Sequence, residues 1–226
     1  MPLERILEPE VMDSAEEAAD YDAMDHSEVN RRFVADLLAA ISDKREAMLD
    51  VVDLGTGTAL IPIELCKKLS DCRVMAADAA VSMLELARYN IEVNGMTERI
   101  QLAHIDAKKL PFPDAMFDVV MSNSIVHHIP EPIQVLREAA RVAKPGGLLF
   151  FRDLLRPESK EQLRQIVASY TEGANEHQQR MFAESLHAAL SLDDIRGLVV
   201  SLGFAAECVQ QTSDRHWTWL ARRSSL

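Results

Sequence analysis

Val51-Val52-Asp53-Leu54-Gly55-Thr56-Gly57-Thr58-Ala59 is the stretch that decides how this chain folds. An apolar run from Met48 to Leu54 ends in an acid and a glycine and reads as a buried strand. Leu60 to Leu69 follows as a helix. Gly55 and Gly57 let the backbone turn tightly and approach a ligand with no Cβ in the way. Two nucleotide readings compete for this loop. A dinucleotide fingerprint wants a third small residue three positions after Gly57, and Leu60 stands there instead. A pyrophosphate site does not require an acid before the first glycine. Asp53 stands where a cationic ligand could use it.

Outward from the loop, strands and helices alternate. Arg73 to Asp78 reads as a second strand ending in an acid, and Val81 to Asn94 as a helix stopped by Asn94-Gly95. Ile100 to Ile105 and Phe117 to Asn123 are further strands, Pro132 to Ala143 a helix, and Leu148 to Leu154 a fifth strand. Continuously apolar strands alternating with helices predict a parallel sheet covered on both faces. Upstream, Phe33, Val34, Leu37, Leu38 and Ile41 fall at helical spacing between Asn30 and Ile41, and Asp13 to Met24 is weakly helical. After Leu155 the alternation lapses into two helical stretches up to about Leu190. Ser191 with Asp194 three residues on predicts a capping box opening a helix that ends at Leu202, before Gly203. Phe204 to Gln210 and His216 to Ala221 read as strands joined as an antiparallel hairpin. The expectation is one doubly wound α/β domain of seven strands, mostly parallel, over residues 1–226. Its parts are an N-terminal flap (1–30), a core (31–155), a helical insertion (156–190), and a last helix and hairpin (191–226).

Composition bounds the partners. The chain has 226 residues, 48% hydrophobic and 27% charged, which fits a folded protein. The net charge of −12 repels phosphate backbones, so no nucleic-acid partner is expected. No apolar run is long enough to span a membrane. The start, MPLERILEPE, has neither the basic nor the apolar region of a signal peptide. The three cysteines (Cys66, Cys72, Cys208) make neither a metal-ligand cluster nor a disulfide framework, and a reducing cytoplasm is the expected setting.

Four motifs in order carry a family resemblance. Asp53-Leu54-Gly55-Thr56-Gly57 resembles the first motif of the class I S-adenosylmethionine-dependent methyltransferases. Ala77-Asp78, followed by Ala79-Ala80-Val81-Ser82-Met83-Leu84, is similar to the second. His104-Ile105-Asp106-Ala107, then Leu110-Pro111-Phe112-Pro113 and Phe117-Asp118, resembles the third- and fourth-strand motifs of its ubiquinone/menaquinone and small-molecule branch. Lys144-Pro145-Gly146-Gly147-Leu148 is similar to the turn before strand five. The likeness is close from about Asn30 to Leu155. It implies a Rossmann-like methyltransferase fold, S-adenosylmethionine as cofactor, S-adenosylhomocysteine as product, and methyl transfer to a small molecule. It implies that Asp53, Gly55, Thr56 and Gly57 meet the methionine portion, that Asp78, Ala79 and Met83 lie at the ribose, and that Asp106, Ala107 and Asn123 complete the cofactor site. Tyr21, in Tyr21-Asp22-Ala23-Met24-Asp25-His26, resembles the tyrosine of a flap that closes over the cofactor. The chain departs from the family at Ala59, where a third glycine is usual. A non-catalytic S-adenosylmethionine-binding regulator stays open, as does an NAD(P)-dependent oxidoreductase, against which Leu60 and the missing Tyr-x-x-x-Lys argue.

Acceptor groups are sought after each strand, because ligands of such sheets bind at the carboxyl ends. Ser122-Asn123-Ser124-Ile125-Val126-His127-His128-Ile129 follows strand four. It lacks the Pro-Pro of nucleic-acid amino-methylating enzymes and resembles the Leu-His-His stretch of small-molecule methyltransferases. His127 and His128 are therefore the catalytic candidates, with structural packing as the alternative. Adjacent histidines chelate poorly without an acid at hand, so no metal is expected. Arg152 could clamp an acceptor carboxylate or pair with Asp153. Arg180 and His187, seven apart on the inserted helices, lie close to one helix face, which either lines the acceptor pocket of the lid the resemblance implies or faces solvent. The acceptor, the methylated element and the oligomeric state are not legible.

Overall fold

A computed structural model describes residues 3–8, 13, 18, 22, 27–41 and 48–224. In chain order the elements are α1 (Ser27–Ala40), β1 (Leu49–Leu54), α2 (Leu60–Lys68), β2 (Cys72–Asp78), α3 (Val81–Val93), β3 (Ile100–His104) and β4 (Phe117–Asn123). There follow α4 (Ile133–Val142), β5 (Ala143–Leu154), α5 (Lys160–Tyr170), α6 (Glu176–Ala188), α7 (Leu192–Ser201), β6 (Val209–Gln211) and β7 (His216–Arg222). Short 3-10 turns cover Val126–His128 and Ala206–Cys208.

The strands bond in the order β3-β2-β1-β4-β5-β7-β6. β1 is parallel to β2 and β4, and β2 is parallel to β3, whereas β6 and β7 are antiparallel. The chain order reverses at β1 and β4, the switch point where such sheets bind ligands. The seven-stranded, mostly parallel sheet with its antiparallel end is as the alternation of elements predicts.

By contact the chain gathers into two units. One comprises residues 11–123, 134–151 and 220–226. Its core takes alternate residues of the strands, Val51, Val74, Ala76, Val119, Met121, Leu148 and Phe150, under Phe33, Val34 and Leu37 of α1, Ile63 and Leu65 of α2, and Ala87 and Ile91 of α3. The Phe33 and Phe150 rings meet edge to face at 4.9 Å. The strand residues between, Val52, Val120 and Leu149, are fully buried too, so both faces of the sheet are covered and continuously apolar strands are the physical consequence.

The other unit comprises residues 1–10, 124–133 and 152–219. Leu3, Leu154, Leu163, Ile166, Leu186 and Ala189 form its apolar cluster. Its three helices carry side-chain N-caps: Ser159 on α5, and full capping boxes from Asn175–Gln178 on α6 and Ser191–Asp194 on α7.

Two expectations are corrected. The segment read as a strand from Phe204 to Gln210 is a 3-10 turn followed by only three strand residues. Its apolar pattern, Phe204 against Trp219 at 5.2 Å and Val209 fully buried, anchors side chains without needing a long ladder. The Lys144–Leu148 turn lies inside β5, which begins at Ala143. Gly146 N–H donates to Arg223 O, and Arg223 N–H donates to Gly147 O, so the C-terminal strand pulls the bend into the ladder. The weakly helical stretch from Asp13 to Met24 lies mostly outside the described residues.

Candidate active site

The glycine loop leaves β1 with three residues in the left-handed backbone region: Gly55 (φ 72°), Gly57 (φ 54°) and Ala59 (φ 61°). The usual third glycine has its reason in that last angle. Alanine holds the same conformation here at a cost of about 1 kcal/mol. The N–H groups of Gly55 and Thr56 donate to Ala77 O at the end of β2, at 2.8 and 3.0 Å. Gly57 N–H donates to Asp78 Oδ2 at 2.7 Å, and Ala80 N–H to Asp78 Oδ1 at 2.9 Å. The β2 acid thus ties the loop to the start of α3, and each of its oxygens keeps a lone pair for another donor. Burial raises the Asp78 carboxyl above its ordinary value despite these bonds. Asp53 is 2% exposed, and burial, helped by the charge of Asp78, pushes it up to about 7.

The Thr56 hydroxyl bonds the Asp53 carboxyl, while Thr58 Oγ1 and Asn123 Oδ1 are buried without a hydrogen-bond partner among the described residues. Each such group costs about 1–3 kcal/mol unless a ligand completes it. Met83 is buried with Ala18 and Ala80, and His104 Nε2 lies 3.0 Å from Ala79 O. Asp106 is exposed. Its Oδ1 accepts Lys108 N–H at 2.9 Å and pairs with Lys108 Nζ at 3.0 Å, so it caps its own turn, while Ala107 beside it is half-buried. Tyr21 lies outside the described residues. Its neighbours Asp13 and Asp22 bind α3: Asp13 Oδ1 accepts Ser82 N–H and Oγ–H, and Asn90 Nδ2 donates to Asp22 Oδ1 at 3.1 Å.

The 124–133 and 152–219 unit holds the acceptor candidates. His127 is 3% exposed, with Nδ1 2.5 Å from Asp153 Oδ1. Asp153 is fully buried. Its Oδ2 accepts Val126 N–H at 2.5 Å and His127 N–H at 3.3 Å, and its Oδ1 accepts Leu154 N–H at 2.6 Å. On the other side, Glu8 Oε1 lies 3.3 Å from His127 Nε2 and 3.1 Å from His128 Nδ1. Ser185 Oγ donates to Glu8 Oε2 at 3.1 Å. Arg5 fixes the same N-terminal segment by donating to Ala188 O, His127 O and Ile129 O. Burial works against a proton on His127, but the charges of Asp153 and Glu8 outweigh it and raise the imidazole above its ordinary value. Burial alike fails to raise Asp153, which the His127 charge holds low, and it does raise Glu8.

Arg152 is buried, with Nε donating to Thr218 Oγ1 at 3.0 Å, while the Asp153 carboxylate is engaged by His127 and by backbone N–H groups. Arg180 is exposed and lies 2.9 Å from His177 Nδ1, on the solvent side of the two alternatives. His187 is half-buried, its Nδ1 covered and without a hydrogen-bond partner among the described residues. The helix face therefore splits, with a solvated end at Arg180 and a buried end at His187. Sequence reasoning missed Glu8, which no local pattern marks. It weighed Asp153 only as a partner for Arg152, although alternation along a strand sends the two side chains to opposite faces.

The strand order, the glycine loop and the β2 acid define a protein of the doubly wound nucleotide-binding class, closed by an antiparallel strand pair. Comparison with known proteins narrows the class. Residues 52–151 match the family described as a methyltransferase domain. The chain is 30% identical over 176 residues to 27-O-demethylrifamycin SV methyltransferase of Amycolatopsis mediterranei, a match covering 76% of this chain and 61% of that one. It is 28% identical over 189 residues to the ubiquinone/menaquinone biosynthesis C-methyltransferase UbiE of Vibrio parahaemolyticus, covering 77% and 69%. In structure it is similar to a SAM-dependent methyltransferase from Aquifex aeolicus, with a TM-score of 0.66 at 19% identity over 93% of this chain and 98% of that one. The chain is thus similar to the class I S-adenosylmethionine-dependent methyltransferases, with a methyltransferase domain matched over residues 52–151, and it spans 61% of the length of the rifamycin enzyme.

Proposed function

We propose that this protein transfers the methyl group of S-adenosylmethionine to a small-molecule acceptor by in-line displacement. One observation carries the reading: the Asp78 carboxylate ties the glycine loop to α3 while the buried oxygens of Thr58 and Asn123 have no hydrogen-bond partner among the described residues. The cofactor supplies a methyl carbon activated on a sulfonium. For their part, Gly55, Thr56 and Gly57 present backbone to the methionine portion, and Asp53 is a buried carboxyl that a nearby cation would ionise. Asp78, with Ala79 and Met83 beside it, takes the ribose, and Asp106, Ala107 and Asn123 complete the adenine and methionine contacts. Tyr21 belongs to the flap that excludes water. The chain's contribution is chiefly to hold and orient, because a sulfonium is already a good leaving group.

His127 and His128 are assigned to the acceptor end, along with Arg152 and His187; Arg180 contributes only at the solvent edge of that region. Asp153 holds Nδ1 of His127 and Glu8 faces Nε2, so the way this pair acts depends on what stands between Glu8 and the imidazoles. The charge of −12 and the absence of a Pro-Pro motif favour a metabolite over DNA or RNA. Among the described residues no helix is long and apolar enough to cross a membrane. A reducing cytoplasmic setting goes with this reading, on a sequence that offers three cysteines and no disulfide framework.

The test is a time course of S-adenosylhomocysteine release with a metabolite extract, beside calorimetry with S-adenosylmethionine and NAD. Turnover with preference for S-adenosylmethionine is expected. Micromolar binding without turnover on any extract would reduce the protein to a cofactor-binding regulator, and preference for NAD would overturn the assignment.

A further inference from the structure

Two adjacent histidines chelate poorly without an acid at hand. The fold supplies one. Glu8, at the far N-terminal end of the chain, brings Oε1 to 3.3 Å from His127 Nε2 and 3.1 Å from His128 Nδ1, and the three ligand atoms all lie within 4.8 Å of one another. Ligands held about 2.0–2.1 Å from one ion stand about 2.9 Å apart at right angles and about 3.3 Å apart at tetrahedral angles. Both Glu8 separations are of that size. The third separation, between the two imidazole nitrogens, is at most 4.8 Å, and binding would bring it to the roughly 4.2 Å or less that two ligands of one ion can span.

Three further features belong to a metal centre more than to a simple ion pair. Glu8 Oε1 is buried and carries no hydrogen bond from a described residue, although two imidazole nitrogens lie beside it. His127 is oriented from behind by Asp153 at 2.5 Å on Nδ1, the usual carboxylate support of a metal-bound histidine. That contact keeps a proton on Nδ1 and leaves Nε2 as the atom that an ion would take in place of a proton. Asp153 itself is held by the N–H groups of Val126, His127 and Leu154, and Glu8 by Ser185, so ligands and support are positioned before any ion arrives. Two carboxylates face His127, against the single positive charge of the nearby Arg5 guanidinium, which bonds backbone carbonyls.

We propose that Glu8, His127 and His128 form a binding site for one divalent first-row transition-metal ion, with Asp153 as the support of His127 and the remaining coordination positions open. Two imidazoles and one carboxylate suit zinc or iron(II) and not magnesium or calcium. If the methyl-transfer reading holds, an open position would bind an oxygen of the acceptor and lower its pKa, so that neither histidine serves as the base. The site itself does not depend on that reading.

The test uses the untagged full chain, stripped with chelator and titrated with Co(II) and then Zn(II) at pH 7.5, without cofactor or acceptor. One equivalent of Co(II) should bind with visible d–d absorption and be displaced by Zn(II). Magnesium should not compete. Glu8→Gln and His128→Ala should each weaken binding at least tenfold, and Asp153→Asn about 10–100-fold. Hyperfine-shifted imidazole protons from two histidines on the Co(II) form of the wild type give a readout that needs no variant to fold. Absence of saturable one-to-one Co(II) binding by the folded wild type overturns the proposal, as does undiminished binding by folded Glu8→Gln. Failure here leaves the methyl-transfer reading standing, because no turnover is measured.

Discussion

Asp78 holds the Gly57 and Ala80 N–H groups and is proposed to take the ribose, and its replacement should show both roles. Asp78→Ala frees the N–H groups of Gly57 and Ala80, so S-adenosylmethionine binding should fall at least tenfold by calorimetry and stability by about 1–3 kcal/mol by denaturant unfolding. Unchanged affinity would remove Asp78 from the cofactor site. Asp53 offers a pH test. Its folded value of about 7 lies above the ordinary 3.8, so the folded state holds the proton more tightly than the unfolded chain. That contribution is complete below the unfolded value and is lost as pH rises through 7. Between pH 5 and pH 8.5 the ligand-free wild type should lose about 3 kcal/mol relative to Asp53→Asn, measured as the difference between their unfolding free energies. A difference that does not move with pH would mean that Asp53 ionises normally. At this scale the acids at strand ends were legible, because a strand–acid–glycine pattern is local. Glu8 was not, because its partners His127 and His128 stand near the middle of the chain and nothing in MPLERILEPE marks one glutamate over another.

Among the elements, α7 and β5 show how local and distant causes divide. The capping box of α7 was readable from Ser191 and Asp194 alone, and it forms as expected, with Asp194 also receiving Arg156 Nη2 at 2.8 Å. Ser191→Ala should cost about 1 kcal/mol in a denaturant titration. A loss below a few tenths would mean that the Arg156 pair, and not the cap, holds this helix start. The early part of β5 was misread because Pro145-Gly146-Gly147 carries a turn composition, whereas the backbone there is claimed by Arg223 of the C-terminal strand. A Cβ on Gly147 would stand 2.8 Å from Lys144 O and 3.2 Å from Asp118 O. Gly147→Ala should therefore destabilise by about 2 kcal/mol or more, whereas Gly197→Ala in α7, where a Cβ meets nothing within 4 Å, should stabilise by about 0.5–1 kcal/mol through helix propensity. Thermal unfolding of both variants checks the contrast. β6 failed in the opposite sense: an apolar run long enough for a strand spends its first half in a 3-10 turn, since burying Phe204 and Val209 asks for no hydrogen-bond ladder.

For the whole molecule, the N-terminal segment 3–8 has the widest reach for its length. Leu3 joins the cluster with Leu163 and Leu186, Arg5 donates to three carbonyls, Ile6 N–H donates to His187 O, and Glu8 meets both histidines. Deleting residues 1–8 should raise hydrogen exchange of the α6 amides at least tenfold while leaving β1 and β2 protected, because the segment and those strands belong to different contact units. Equal loss of protection throughout would show that the segment supports the entire fold. The sequence by itself determined the sheet, the glycine loop, the β2 acid and the cofactor class. Those depend on period, on residues lacking a Cβ, and on spacings within a single strand–loop–helix unit, all of which are short-range. Only the tertiary structure decided which acid faces His127 and His128, that Arg180 is solvated while His187 is covered, and that the Asp153 carboxylate turns to His127. Those pairings join residues far apart in the chain, and the direction of a side chain is settled by the packing around it and not by its neighbours in sequence.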